Sequence, residues 1–263
     1  MMAVMNVEIS KTSLYQYLLY SKEIQYDEHI TLYPVKMKDI LLFQQCTDVL
    51  TLRKNAIFQD KKIIKMEYLD LIKYAHNNTE LAQKYQMPML PFYYVILLNM
   101  LEIVCGKDAK IHYNADNLDI MINGEVITNE MFDDIRKIII IQNDIDFDVD
   151  EFINIDTVRA LEKARDFEAK KNNEKADIED YIDSMAIELR YTDEQISNLT
   201  IRKFWRYIKR IEKHESYQAC LSGQMTGMVT FKEPIQHWMT SIEVTDKYSN
   251  LKADEEELRS KLG

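Results

Sequence analysis

A run of aspartates at alternate positions has the oxygen-rich composition that could hold a divalent cation. The run consists of Asp144, Asp146, Asp148 and Asp150. A calcium loop of the EF-hand type needs Gly at its sixth position, where the chain turns sharply, and Glu at its twelfth, which supplies a bidentate ligand. Neither residue stands at the required position when the loop is counted from Asp144 or from Asp146. The spacing therefore predicts a solvated acidic loop and no metal site.

The other residues suited to metal binding or nucleophilic catalysis are dispersed along the chain. The histidines form no HxxxH or HxH pair and the cysteines form no CxxC pair, so neither set has zinc-site spacing. The sequence also lacks the GxSxG, Walker and GxGxxG patterns. We therefore predict that the chain is not an enzyme, with no catalytic, cofactor-binding or metal-binding residue. The residues concerned are His29, His76, His112, His214, His237, Cys46, Cys105 and Cys220.

The overall charge restricts the class of partner. With 33 basic and 44 acidic residues, the formal net charge is -11, which disfavours non-specific binding to nucleic acid or to an anionic bilayer. The longest apolar run, over 92–104, is short and is interrupted by Asn99 and Glu102, so we expect no membrane-spanning helix. The N-terminus lacks the pattern of a secretory signal, and the thiols fit a reducing compartment. A cytoplasmic protein is predicted.

Apolar periodicity predicts an α+β fold that is predominantly helical. A strand is expected over 29–34, and the Asn123-Gly124 pair between β-rich runs predicts a β-hairpin within 110–128. Thr192 and Gln195 have the spacing of a helix-capping box. Helices are predicted over 10–20, 37–52, 67–75, 93–105, 131–142 and 178–189, with another from 201 onward.

The changes in composition along the chain predict four segments. Residues 1–150 are expected to form an α+β domain that contains the hairpin. Residues 151–177 are rich in charge and poor in large apolar side chains, so they are interpreted as a charged helix or a linker. A helical partner-binding module is expected over 178–245, and a charged tail over 246–263.

Positive charge concentrates on the helix that begins at residue 201. Arg202, Arg206, Lys209 and Lys213 follow the spacing i, i+4, i+7 and i+11, which places them in one stripe opposite an apolar face. Such a stripe is either a solvated helix surface or a binding surface for an acidic partner or the acidic half of the same chain. Specific nucleic-acid binding is disfavoured by the net charge.

Methionine is abundant, with fourteen residues, and it clusters with aromatic side chains after this helix. Its unbranched, polarizable side chain packs on irregular surfaces, which suits a protein that holds partners transiently; filling of the core is the alternative. We predict that the stripe and this cluster bind a partner. The predicted partner-binding residues are Arg202, Arg206, Lys209, Lys213, Met225, Met228, Phe231, Trp238 and Met239.

Two segments resemble those of proteins from tailed bacteriophages. The sequence HITLYPVKMKDILLFQQCTDVL at 29–50 resembles a strand, a Pro-containing turn and a helix of tail and baseplate-hub assembly proteins. The sequence TIRKFWRYIKRIEKHESYQACLSGQMTGMVTFKEPIQHWM at 200–239 resembles a segment encoded among the tail genes of phages that infect low-GC Gram-positive hosts.

The resemblance implies a tail-assembly chaperone or adaptor without enzyme activity. Its expected partners are other phage tail proteins, such as a tape-measure or hub protein, and self-association is left open. The expected location is the host cytoplasm, or the virion if the protein stays in the particle. A permanent structural component of the tail or baseplate is the first alternative function, and an uncharacterised regulator or enzyme is the second.

Overall fold

The computed structural model describes residues 9–147, 177–227, 231 and 234–242. They form two compact units, of which the first ends at Phe204 and the second begins at Trp205. This division falls inside the partner-binding module predicted at 178–245. The predicted linker lies outside the described residues except for Asp177, and so does the predicted tail. The fold is α+β and predominantly helical, which confirms the predicted class.

Most of the described residues are in helices. Those before residue 148 are α1 Tyr15–Tyr20, α2 Ile40–Cys46, α3 Lys54–Ile57, α4 Lys61–Lys65, α5 Tyr68–Asn77, α6 Glu80–Lys84, α7 Tyr93–Cys105 and α8 Asn129–Gln142. Those after residue 176 are α9 Ile178–Leu189, α10 Asp193–Ser197 and α11 Ile201–Met225, and α11 extends from the first unit into the second. Short 3₁₀ helices cover Met37–Asp39, Thr47–Val49 and Leu90–Phe92.

The single helix predicted over 37–52 is divided. A 3₁₀ turn precedes α2 and another follows it, so the regular α-helix is limited to Ile40–Cys46. At its end the hydroxyl of Thr47 donates to the carbonyl of Gln44 at 2.8 Å. A local side-chain bond of this kind competes with regular helix bonding, which accounts for the early end of α2.

The strands form two small antiparallel sheets. In the first, β1 Ile24–Gln25 pairs with β2 Thr31–Leu32. In the second the order is β3-β4-β5, and the strands are β3 Ile111–Tyr113, β4 Ile120–Ile122 and β5 Glu125–Val126. Asn123 and Gly124 join β4 to β5 with φ angles of 53° and 91°. Positive φ at both positions is the requirement of the tight hairpin turn that Asn-Gly favours, so this predicted hairpin is confirmed.

The core of the first unit lies around α5, α7 and α8. Helix α5 packs against both of the others, and its buried residues include Tyr68 and Leu71. Helix α7 contributes Leu97, Met100 and Leu101 among its buried residues. It begins and ends where the sequence predicted, and the residue after it, Gly106, has a φ of 81°. Glycine tolerates that left-handed conformation, which explains the stop.

The start of α11 belongs to the first unit. Residues 35–37 pair with 199–201, since the amide of Met37 donates to the carbonyl of Leu199 at 2.8 Å and the amide of Ile201 donates to the carbonyl of Val35 at 2.9 Å. The guanidinium of Arg202 then donates to the carbonyl of Leu18 at 3.2 Å. Since Leu18 lies at the end of α1, this cation satisfies a carbonyl that the helix leaves unpaired.

Candidate functional site

Helix α11 is the element that positions the predicted partner-binding residues. Its first turn is capped by Thr200, whose hydroxyl accepts a hydrogen bond from the amide of Lys203 at 3.3 Å. It then runs for 25 residues. Gly223 lies within the helix, whereas Gly227 lies in the turn after it with a φ of 70°. The helix carries the residues of the predicted stripe at regular helical spacing.

The segment 234–242, here called the strap, lies against α11 within the second unit. The ring of Trp238 meets the imidazole of His214 edge to face, with 4.9 Å between centroids. The imidazole of His237 makes the same kind of contact with the ring of Tyr217 at 5.1 Å. Two neighbouring strap residues thus pack their rings on residues of α11 that are three positions apart.

Two cations of α11 hold the main chain of the strap. The guanidinium of Arg210 donates to the carbonyl of Trp238, and also to the carbonyl of Thr240 at 3.0 Å. The ammonium of Lys213 donates to the carbonyl of Ser241 at 2.7 Å. Hydrogen bonds with a charged donor are shorter and stronger than those between neutral groups. Ring contacts and hydrogen bonds to main-chain carbonyls therefore hold the strap against α11.

A turn inside the strap points Met239 away from these contacts. The amide of Thr240 donates to the carbonyl of His237 at 3.0 Å, and the amide of Met239 donates to the imidazole Nδ1 of His237 at 3.2 Å. The bonds fix the backbone around Trp238, whose ring stays half-buried. Trp238 thus anchors the strap to the helix, while the side chain of Met239 faces outward.

Large apolar side chains are exposed on the second unit. Met225 at the end of α11 is 84% exposed, Met239 is 66% exposed and Phe231 is 37% exposed. Apolar groups gain from leaving water, and a flexible Met can adapt to the shape of the surface that covers it. We call these three side chains the apolar surface. Met228, which was predicted to belong with them, lies outside the described residues.

The four cations of the predicted basic stripe differ in the contacts that they make. Arg202 and Lys213 donate to main-chain carbonyls, in the first and the second unit respectively. Arg206 is half-buried on α11, and Lys209 is exposed. Sequence reasoning missed Arg210, because its partners are main-chain carbonyls 28 and 30 residues away. The sequence does show that Arg210, His214 and Tyr217 share one face of the helix. That spacing indicates a binding face only once the structure places the strap against it.

The described ranges hold no group of three or more His, Cys, Asp or Glu residues placed to bind a metal ion. The acidic run is only partly described, since Asp148 and Asp150 fall in a gap. No helix within the described residues is both long enough and apolar enough to cross a membrane.

Comparison with known proteins relates one part of the chain to a family. Residues 169–243 match the family model of the YomV second domain, which belongs to a phage-derived protein family. The match includes α9, α10, α11 and all described residues of the second unit, including the strap. Neither a curated protein nor a solved structure matches the chain. The matched family indicates a phage protein.

Proposed function

We propose that the chain is a non-enzymatic phage protein that acts in tail assembly, and that its second unit binds another tail protein such as a tape-measure or hub protein. Three lines of support converge on the same part of the chain. The family match covers it, the resemblance to tail-gene products covers it, and it carries the apolar surface. Binding takes place in the host cytoplasm.

The exposure of Met225, Met239 and Phe231 is the observation that carries this proposal. Apolar side chains that are grouped on a surface and remain in water are typical of sites that a partner covers, and these three belong to the same unit. Central anchors of such surfaces each contribute about 2 kcal/mol or more to binding. Methionine is suited to a partner that must later be released, because it repacks without a fixed shape.

The experiment replaces two anchors of the apolar surface. Tagged wild-type protein and a Met225→Gln/Met239→Gln variant are expressed during infection, and the co-purified phage proteins are identified by mass spectrometry. Because both side chains are exposed, the variant should keep its fold, and its circular dichroism spectrum should match that of the wild type. We expect a tail protein to accompany the wild type and to be reduced at least tenfold with the variant, since two anchors are lost.

A matched control uses Met89, which is 53% exposed on the first unit. Met89→Gln should retain the tail protein at the wild-type level. Equal recovery with the double variant would contradict the proposal, and so would recovery of only host proteins with the wild type.

A permanent tail or baseplate component is the alternative role for the same surface. Quantitative mass spectrometry of purified particles separates the two roles, because an assembly factor leaves before the particle is complete. We expect the chain to be abundant in infected cells and absent from purified virions. A fixed number of copies per virion would instead establish the structural role.

A further inference from the structure

The face of α11 beneath the strap has the composition of a binding site for a charged segment. Arg210, Lys213, His214 and Tyr217 are spaced i, i+3, i+4 and i+7, so they share one face of the helix. Two of them are cations and two are rings. In the structure each contacts the strap, and each cation donates to at least one carbonyl of it.

The described contacts of these cations with the strap are to uncharged acceptors. Arg210 donates to the carbonyls of Trp238 and Thr240, and Lys213 donates to the carbonyl of Ser241. A guanidinium or ammonium bonds more strongly to a carboxylate than to a neutral acceptor, and Arg can engage a carboxylate with two parallel bonds. A segment with carboxylates at the positions of these carbonyls would therefore bind the same face more tightly.

Charge on the rest of the helix favours the same occupant. Basic residues on α11 outnumber acidic ones, since six Lys or Arg residues stand against Glu212 and Glu215. The basic residues are Arg202, Lys203, Arg206, Lys209, Arg210 and Lys213. Both glutamates are exposed, and their positions on the helix differ from the spacing of the face that holds the strap. An approaching acidic segment thus meets a positive local field despite the net charge of the whole chain.

We propose that the strap is an autoinhibitory stand-in, and that the face of α11 formed by Arg210, Lys213, His214 and Tyr217 takes an acidic, aromatic-containing segment of the partner in its place. This inference rests on the proposed function, because it specifies the chemistry of the partner that the second unit binds. The partner's aromatic side chain takes the place of Trp238 against His214, and its carboxylates take the places of the strap carbonyls.

The strap covers this face of α11 until a partner displaces it. The strap and its site belong to one chain, so the strap binds as an intramolecular ligand. A free peptide at micromolar concentration competes poorly with such a ligand. A partner that also covers Met225, which lies on α11 outside the strap and is 84% exposed, gains extra contacts that help to displace the strap.

The experiment measures peptide binding to the full chain by fluorescence anisotropy. The first probe is the strap peptide PIQHWMTSI, labelled at its N-terminus, and the second is PIQHWMEEI, in which Glu replaces the residues at positions 240 and 241. A strap-release variant, His237→Ala/Trp238→Ala, removes the ring contacts from the strap and leaves the helix face intact. We expect this variant to bind the acidic probe about tenfold more tightly than the wild type does, and about tenfold more tightly than it binds the neutral probe.

Two further substitutions locate the site. In the strap-release background, Arg210→Gln/Lys213→Gln should abolish the preference for the acidic probe. Lys209→Gln is the matched control, because it removes one positive charge from an exposed position on the same helix, and the preference should remain. Equal loss with Lys209→Gln would mean that general charge attraction is responsible, which would overturn the proposal.

The wild type provides an independent test if the strap-release variant loses its helical circular dichroism signal. At high peptide concentration the wild type should bind the acidic probe more tightly than the neutral one, and Arg210→Gln should remove the difference. Equal affinity for both probes would overturn the proposal, as would dimerisation of the strap-release variant in sedimentation, which would make a second copy the occupant. These outcomes are separate from those of the Met225→Gln/Met239→Gln experiment, because no phage partner is present.

Discussion

Arg136 is a cation held inside the first unit, where it is only 5% exposed. Its Nε donates to the carbonyl of Leu50 at 2.6 Å, and its guanidinium lies over the ring of Tyr68 at 3.6 Å from the centroid. The hydroxyl of Tyr68 in turn donates to the carbonyl of Val49 at 2.8 Å. Arg136 and Tyr68 therefore fix the chain at the end of the Thr47–Val49 turn through main-chain carbonyls.

Arg136→Met should destabilise the protein by about 2–3 kcal/mol, because the substitution removes a charged hydrogen bond and a buried cation–π contact while it keeps most of the volume. Urea unfolding followed by circular dichroism measures the change. Lys65→Met is the control, since Lys65 is exposed and a surface substitution should alter stability by less than about 0.5 kcal/mol. Equal stability of the two variants would show that the buried contacts contribute nothing net.

The three thiols should differ in reactivity. Burial raises the pKa of the Cys105 thiol to about 12 and also raises the pKa of the Cys46 thiol, so the reactive thiolate is scarce at both positions. Cys220 is only half-buried on α11. Iodoacetamide at pH 8 should therefore modify Cys220 first in the native protein, and all three thiols once guanidinium has unfolded it. Native Cys105 reacting as fast as Cys220 would contradict this order, which peptide mass spectrometry can follow.

The sequence identified several residues of the candidate site, but it did not show which groups they contact. The sequence identified the stripe that contains Arg202 and Lys213, but it did not show that both would donate to main-chain carbonyls. The Leu18 carbonyl is 184 residues from Arg202 along the chain, and the sequence contains no local signal for such a pairing. Trp238 was predicted to bind a partner, and the sequence contains no local signal for its contact with His214.

Among the elements, those whose ends are set by local chemistry were predicted well. Helix α7 ends before Gly106, the capping box of Thr192 and Gln195 forms at the start of α10, and Asn123-Gly124 makes the hairpin turn. Each depends on a backbone conformation or a bond within a few residues. The break after α2 was missed, because Thr47 continues an apolar helical pattern while its hydroxyl bonds to the backbone.

The substitution Gly124→Ala tests the turn between β4 and β5. A side chain at Gly124 would meet no heavy atom within 4 Å, so any effect must come from its φ of 91°. We expect a loss of about 1 kcal/mol, which is the usual cost of placing a non-Gly residue in the left-handed region. Glu125→Ala, at the next position, is the control and should change stability less. Unfolding curves that coincide for Gly124→Ala and the wild type would argue against this turn.

At the scale of the whole molecule, the pairing of 35–37 with 199–201 could not be read from the sequence. It joins two segments that are distant along the chain, and both lie within the first unit, which extends to Phe204. The net charge, in contrast, follows directly from the composition, and it determines how the whole molecule interacts with nucleic acid.

The protein should not bind duplex DNA at near-physiological salt. Its net charge of -11 repels a polyanion, and the cations of α11 include several that already donate to carbonyls. Any affinity at low salt should fall steeply as salt is added, because it would rest on the release of a few counterions. Anisotropy of a fluorescent duplex measures this. Tight binding that resists salt would favour a nucleic-acid regulator over an assembly protein.

If the second unit binds a tail protein and tail assembly requires this contact, loss of the apolar surface should block the formation of tails. Complementation tests this: a phage that lacks its own copy of this gene infects cells that supply either the wild type or Met225→Gln/Met239→Gln, and electron microscopy counts tailed particles in the lysate. We expect tailed particles with the wild type, and with the variant a deficit of tails alongside unattached heads. Tailed particles at the wild-type yield with the variant, while it is expressed and folded, would show that this surface is not needed for tail assembly.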